Sequence, residues 1–128
     1  MKVVDSSGWL EFFTDGPLAD DYAEHLADLG QILTPAIVIY EVYKRIKRER
    51  SEEEALRAVA QLEKTRIASL TTTIALTAAD LSLEHGLAMA DALVYATGVL
   101  HRSMVITSDS DFEFLPGVTY LEKPRPAP

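Results

Sequence analysis

Nine residues late in the chain, M-V-I-T-S-D-S-D-F at 104–112, restrict the fold more than any other stretch. An apolar run that stops abruptly on two aspartates spaced one apart reads as a short buried strand over 104–107, with Asp109 and Asp111 on the loop leaving its end. Val3 and Val4 form a second short apolar run, and it too ends on an aspartate, Asp5, followed by Ser6 and Ser7. Ligands of open α/β sheets bind in the crevice beyond the carboxyl ends of the strands. Carboxylates delivered there by two strands are therefore candidates to hold a cation.

The intervening chain supplies the rest of such a sheet. Residues 6–13 read as a helix capped by Ser6 or Ser7, with Trp9, Phe12 and Phe13 spaced to share a face that is either core or a dimer or partner surface. Asp15-Gly16-Pro17 is a turn, and a second helix over 18–29 carries Leu18, Tyr22, Leu26 and Leu29 on one side before Gly30 ends it. Ile32 and Leu33 make a strand, and Thr34-Pro35 opens a third helix over 36–49 as cap and first helical residue. Ser51 with Glu54 forms a capping box for a fourth helix over 52–64, with Leu56, Val59, Ala60 and Leu62 as its apolar positions. A strand over 67–70, a fifth helix from the 71–73 threonines to about 86, and a last strand over 118–121 after the Pro116-Gly117 turn complete the pattern. The proline-rich tail, 123–128, is expected to fray. Strands this short alternating with helices predict an α/β/α three-layer sandwich around a short-stranded, mainly parallel sheet, as one domain over residues 1–128.

Composition removes several classes of chemistry. The absence of cysteine excludes disulfides, thiolate metal sites and cysteine nucleophiles. No segment has the apolar length of a signal peptide or a membrane span, so a cytoplasmic protein without a membrane partner is expected. A net charge of −8 argues against nucleic acid at first sight. The distribution reverses that, because five of the twelve Lys and Arg residues lie in K-R-I-K-R-E-R at 44–50. This stripe is either a solvated helix face or a path for phosphates.

Two further acidic residues stand out by their surroundings. Glu41 sits among Ile37, Val38, Ile39, Val42 and Tyr43, with Lys44, Arg45 and Arg48 at ion-pairing offsets, so on its own it is an ordinary helix-surface glutamate. Asp91 is the one charged residue in G-L-A-M-A-D-A-L-V-Y-A-T-G-V-L at 86–100, and a carboxylate on such an apolar face needs a partner, a hydrogen bond or a metal. The alternative is that Asp91 caps a helix beginning at Ala92. His25, His85 and His101 share no ligand spacing and read as surface or helix-end residues.

V-V-D-S-S, I-V-I-Y-E-V, H-G-L-A-M-A-D-A-L-V-Y-A-T and V-I-T-S-D-S-D-F follow one another along the chain in an order and spacing that resemble a PIN domain, in particular the small VapC-type ribonuclease toxins. The resemblance implies Asp5, Glu41, Asp91 and Asp109 as a carboxylate quartet, Asp111 as an additional acidic position, and Ser7 and Thr107 as small hydroxyl positions beside the site. It implies metal-dependent hydrolysis of RNA leaving a 5′-phosphate and a 3′-hydroxyl, with Asp5, Asp91 and Asp109 as metal ligands and Glu41 as a ligand or the residue orienting the attacking water. It also implies an antitoxin partner, and a homodimer is expected. Oxygen-only ligands favour Mg²⁺, with Mn²⁺ as the alternative. Lys44 and Arg48 share the Glu41 face and are the candidates to contact substrate phosphates, or the acidic part of an antitoxin in the same groove. A PIN-type RNA-processing nuclease outside any toxin pair, and a non-catalytic α/β binding module, are the rival readings. A phospho-receiver domain fits poorly, because Asp5 is followed by serine and 104–112 has no lysine. A D-x-D phosphatase is excluded by the late position of Asp109 and Asp111.

Overall fold

The computed structural model describes residues 1–124, so the fraying expected of the tail lies, from residue 125 on, outside the described residues. Strands β1 (Lys2–Val4), β2 (Ile32–Pro35), β3 (Arg66–Ala68), β4 (Met104–Thr107) and β5 (Val118–Tyr120) are joined through helices α1 (Ser6–Phe13), α2 (Ala19–His25), α3 (Ala36–Glu49), α4 (Glu52–Leu62), α5 (Thr72–His85) and α6 (Met89–Leu100). The sheet order is β3, β2, β1, β4, β5, and every pairing is parallel. From central β1 the chain builds outward through β2 and β3, then crosses to the other side for β4 and β5. The direction therefore reverses between β1 and β4, and a crevice opens there at the strands' carboxyl ends.

Successive strand residues face opposite sides of a sheet, and Val3 and Val4 are both fully buried. Both faces are thus covered, as a three-layer sandwich requires. Helix α6 packs on β1, β2 and β4. Gly98 permits that approach, since a Cβ there would stand 2.6 Å from Val105 Cγ2 and 3.0 Å from the Ser103 carbonyl oxygen. Trp9, Tyr22 and Phe112 are the largest fully buried side chains. The aromatic stripe of α1 is divided: Trp9 is core, Phe13 stacks on it with ring centroids 5.7 Å apart, and Phe12 is exposed.

Several boundaries differ from the sequence expectation for local reasons. Asp5, not Ser6 or Ser7, caps α1, because its Oδ1 accepts from the Gly8 amide at 3.2 Å. The second helix stops at His25, as Asp28 caps a separate short turn, Leu29–Gln31, through the Gly30 amide. Thr34 stays in β2 with its hydroxyl 2.6 Å from that of Thr65, so Pro35 takes the cap position of α3. In α4 the buried residues are Ala55, Ala58 and Leu62, while Leu56 is exposed. The face is set by small residues that let α4 lie close to α3, a signal that hydrophobicity alone does not carry. His25 and His85 are the last residues of α2 and α5, and His101 follows α6, as expected of helix-end residues.

Candidate metal centre

The register of β1 on β4 brings the two acidic strand ends together. Val4 pairs with Ile106, and the Asp5 amide donates to the Ile106 carbonyl at 3.2 Å, so Asp5 lies beside Thr107. Both Asp5 oxygens are engaged. Oδ1 accepts from Ser7 Oγ at 2.7 Å and from the Gly8 amide, and Oδ2 accepts from Thr107 Oγ1 at 2.7 Å. Thr107 in turn accepts from the Asp109 amide at 3.0 Å, and Asp109 Oδ1 accepts from the Asp111 amide at 2.9 Å. This relay fixes the loop after β4 against the end of β1.

Helix α6 supplies the third carboxylate. It begins at Met89, so Asp91 lies in its first turn and caps nothing. One carboxylate oxygen from each of Asp91, Asp109 and Asp111 lies within 4.8 Å of the others. Glu41, half-buried on α3, completes the acidic surround. Burial, then Asp109, Asp111, Asp5 and Glu41 in that order, push the Asp91 carboxyl up to about 7. Burial pushes Asp5 up to about 6 against the hydrogen bonds from Ser7, Thr107 and Gly8, with Asp109 adding to the rise. Glu41 is raised by burial and by Asp109, while a hydrogen bond from Ser6 opposes the shift. The four residues of the expected quartet thus share one field, but Asp111, expected beside the site, is the one that joins Asp91 and Asp109 in the tight cluster.

The donor set fits a hard divalent cation. Among the described residues no ion pair involves Asp5, Glu41, Asp91, Asp109 or Asp111. Opposed oxygens of an octahedral Mg²⁺ site stand about 4.2 Å apart, so three oxygens within 4.8 Å of one another need only small adjustments. Protons are the other means of relieving the crowding. The folded chain therefore holds extra protons on Asp91 and Asp5 between their ordinary value of 3.8 and about 7, where the unfolded chain has already lost them. Stability of the metal-free protein should accordingly fall as pH rises through that window and level off above it. Thermal melts between pH 5 and 8 in chelator check this, and a Tm that climbs with pH would contradict it.

Some residues tied to the site had little signal in the sequence. Ser108 Oγ lies 3.4 Å from Ser7 Oγ and is buried. The Tyr22 hydroxyl, also buried, lies close enough to Ser108 and Ser7 to feel both without meeting the geometry of a hydrogen bond, and burial pushes it up to about 12. Beside Glu41 a groove of about 190 Å³ runs between α1 and α3, with Ser6 and Leu10 on one wall and Tyr40, Lys44, Arg45 and Arg48 on the other. Arg45 pairs with Glu49 at 2.7 Å, whereas Lys44 and Arg48 are exposed and more loosely engaged.

Comparisons with known proteins bear on the fold that carries this site. A solved toxin–antitoxin complex from Klebsiella pneumoniae contains a chain with 28% identity, covering 93% of this chain and 96% of that one, at a TM-score of 0.80. VapBC2 from Rickettsia felis, solved bound to a DNA fragment from its promoter, matches at 15% identity over 94% of this chain and 96% of that one, TM-score 0.75. VapC20 from Mycobacterium tuberculosis, described as a sarcin–ricin loop cleaving toxin, matches at 19% identity over 88% and 92%, TM-score 0.72. No curated protein sequence matches at a significant level. The family model of the PIN domain matches residues 2–117, nearly the whole described chain, and the chain belongs to that family.

Proposed function

We propose that the protein is a Mg²⁺-dependent endoribonuclease, the toxin of a type II toxin–antitoxin pair, that hydrolyses RNA phosphodiesters at the acidic crevice. The observation that carries this reading is the cluster of Asp91, Asp109 and Asp111, uncompensated by any cation among the described residues and set where the strand order reverses. Asp91, Asp109 and Asp5 would hold the ion, with Asp111 in reach. Bound there, a divalent ion would supply Lewis acidity and positive charge opposite the scissile phosphate. Asp5 is locked by three hydrogen bonds, so its contribution is a carboxylate of fixed orientation. Glu41, half-buried and with its carboxyl raised by burial and by Asp109, would orient a water and take its proton. The 28% identity to a chain of a toxin–antitoxin complex supports an antitoxin partner for this chain. A homodimer remains part of the proposal, and no helix is long and apolar enough to cross a membrane among the described residues.

The test is incubation of the protein with RNA in Mg²⁺ and in excess chelator. Cleavage restricted to Mg²⁺, with 5′-phosphate ends, is expected; equal cleavage in chelator would contradict the proposal. The basic stripe gives a second expected result. Lys44 and Arg48 line the groove that leaves Glu41, and both are exposed enough to turn toward a phosphate at little expense. Lys44→Ala with Arg48→Ala should weaken binding of single-stranded RNA and flatten its dependence on log salt by about 0.7 for each phosphate left unneutralised. An unchanged affinity and slope in salt titrations would reduce the stripe to a solvated helix face.

A further inference from the structure

The groove beside Glu41 holds more than cations. Helix α3 buries Val38, Val42 and Ile46, and Tyr40 is turned the other way, 57% exposed and lining the groove next to Glu41. Lys44, one turn on, places its ammonium 5.4 Å from the Tyr40 ring centroid and 3.3 Å from its hydroxyl. Leu10 of α1 adds an apolar surface to the facing wall. An aromatic plate flanked by cations is how proteins hold single-stranded nucleic acid, since bases stack on the ring while the backbone follows the charge. A duplex keeps its bases paired inside and offers the same groove only phosphates.

We infer that Tyr40 is a nucleobase-stacking platform: an unpaired base beside the scissile phosphodiester lies on its ring while Lys44 and Arg48 take flanking phosphates. The inference rests on the ribonuclease reading of the acidic crevice. Relative magnitudes favour the exchange. An exposed ammonium over an aromatic ring is held by a factor of about 2 to 5, whereas a base stacked on an aromatic side chain contributes a factor of about 5 to 150. A base therefore displaces Lys44 from the ring, and the freed ammonium becomes available to the phosphate.

The experiment measures binding of a short labelled RNA, single-stranded and as a duplex of the same sequence, by fluorescence anisotropy with Ca²⁺ in place of Mg²⁺. Wild type, Tyr40→Ala and Tyr40→Phe are compared, and melting temperatures should match because Tyr40 packs on little. Tyr40→Ala should weaken single-strand binding by about 5- to 150-fold and leave the duplex within about twofold, while Tyr40→Phe keeps wild-type affinity. An abasic nucleotide scanned along the strand should weaken wild type by a similar factor at one position and have no further effect there on Tyr40→Ala. Equal losses on single strand and duplex, or additive losses at every abasic position, would overturn the platform and leave Tyr40 as a prop for Lys44. So would RNA cleavage in Mg²⁺ with kcat/KM unchanged in Tyr40→Ala, a result that leaves the ribonuclease standing. Stacking at Tyr40 with no cleavage by wild type in Mg²⁺ would instead overturn the ribonuclease and support the platform.

Discussion

Asp91→Asn should lower metal-dependent RNA cleavage by more than about 100-fold, the upper end of what losing even an outer partner of a metal ligand costs. The same substitution should raise the melting temperature of the metal-free protein at pH 8. Both effects follow from one fact: Asp91 lies half-buried among Asp109, Asp111, Asp5 and Glu41, and its carboxyl is pushed up to about 7. At pH 8 it is mostly ionised, so the folded state carries a charge that its surroundings disfavour. Asparagine keeps the shape and removes that charge. No cap is lost with it, because α6 starts at Met89 with Ala88 before it. The stability gain should shrink as pH falls below about 7, where the native carboxyl takes up its proton, and vanish only near 3.8, where the unfolded chain does so too. Parallel melts and cleavage assays across pH 5 to 8 check both halves; an unchanged cleavage rate, or a clear drop in Tm at pH 8, would contradict the assignment.

Gly8→Ala should destabilise the fold by about 1–3 kcal/mol, the usual range for forcing an extra carbon into a packed core. A Cβ at Gly8 would stand 2.4 Å from Tyr22 Cε1 and 2.7 Å from Val4 Cγ1, and both neighbours are fully buried. Neither can leave without disturbing β1 or the face of α2 on α1. The Gly8 amide also donates to Asp5 Oδ1, so relief by shifting α1 would move the carboxylate. Cleavage should therefore fall further than the fraction of unfolded protein accounts for. Chemical denaturation alongside kcat measurements separates the two; a stability and a kcat both like wild type would show that the packing at Gly8 is looser than these distances indicate.

β1, β4 and their acidic ends were legible because each is a short local pattern, an apolar run that leads straight to an aspartate. Asp91 was legible for the opposite reason, as the lone charge in an otherwise largely apolar stretch. Glu41 was not legible from its neighbours, whose charges suit an ordinary surface pair; only the resemblance of the whole chain singled it out. Its proximity to Asp109 depends on how α3 leaves β2, which is a tertiary fact. The close grouping of Asp111 with Asp91 and Asp109 depends likewise on the relay from Thr107 through Asp109, set by the register of β1 on β4. Tyr22 and Ser108 had little signal as site residues, since a tyrosine in an apolar stripe and a serine in a loop take their place at the crevice only once α1 and α2 have packed.

Whether these carboxylates hold a divalent ion can be read from crystals soaked in Mn²⁺, through the anomalous scattering of the metal. The expected result is a peak bounded by Asp91 and Asp109, with Asp5 or Asp111 in its coordination sphere directly or through water, and loss of that peak in Asp91→Asn. A peak elsewhere on the molecule, or an acidic crevice left without metal at Mn²⁺ concentrations that support RNA cleavage, would contradict it.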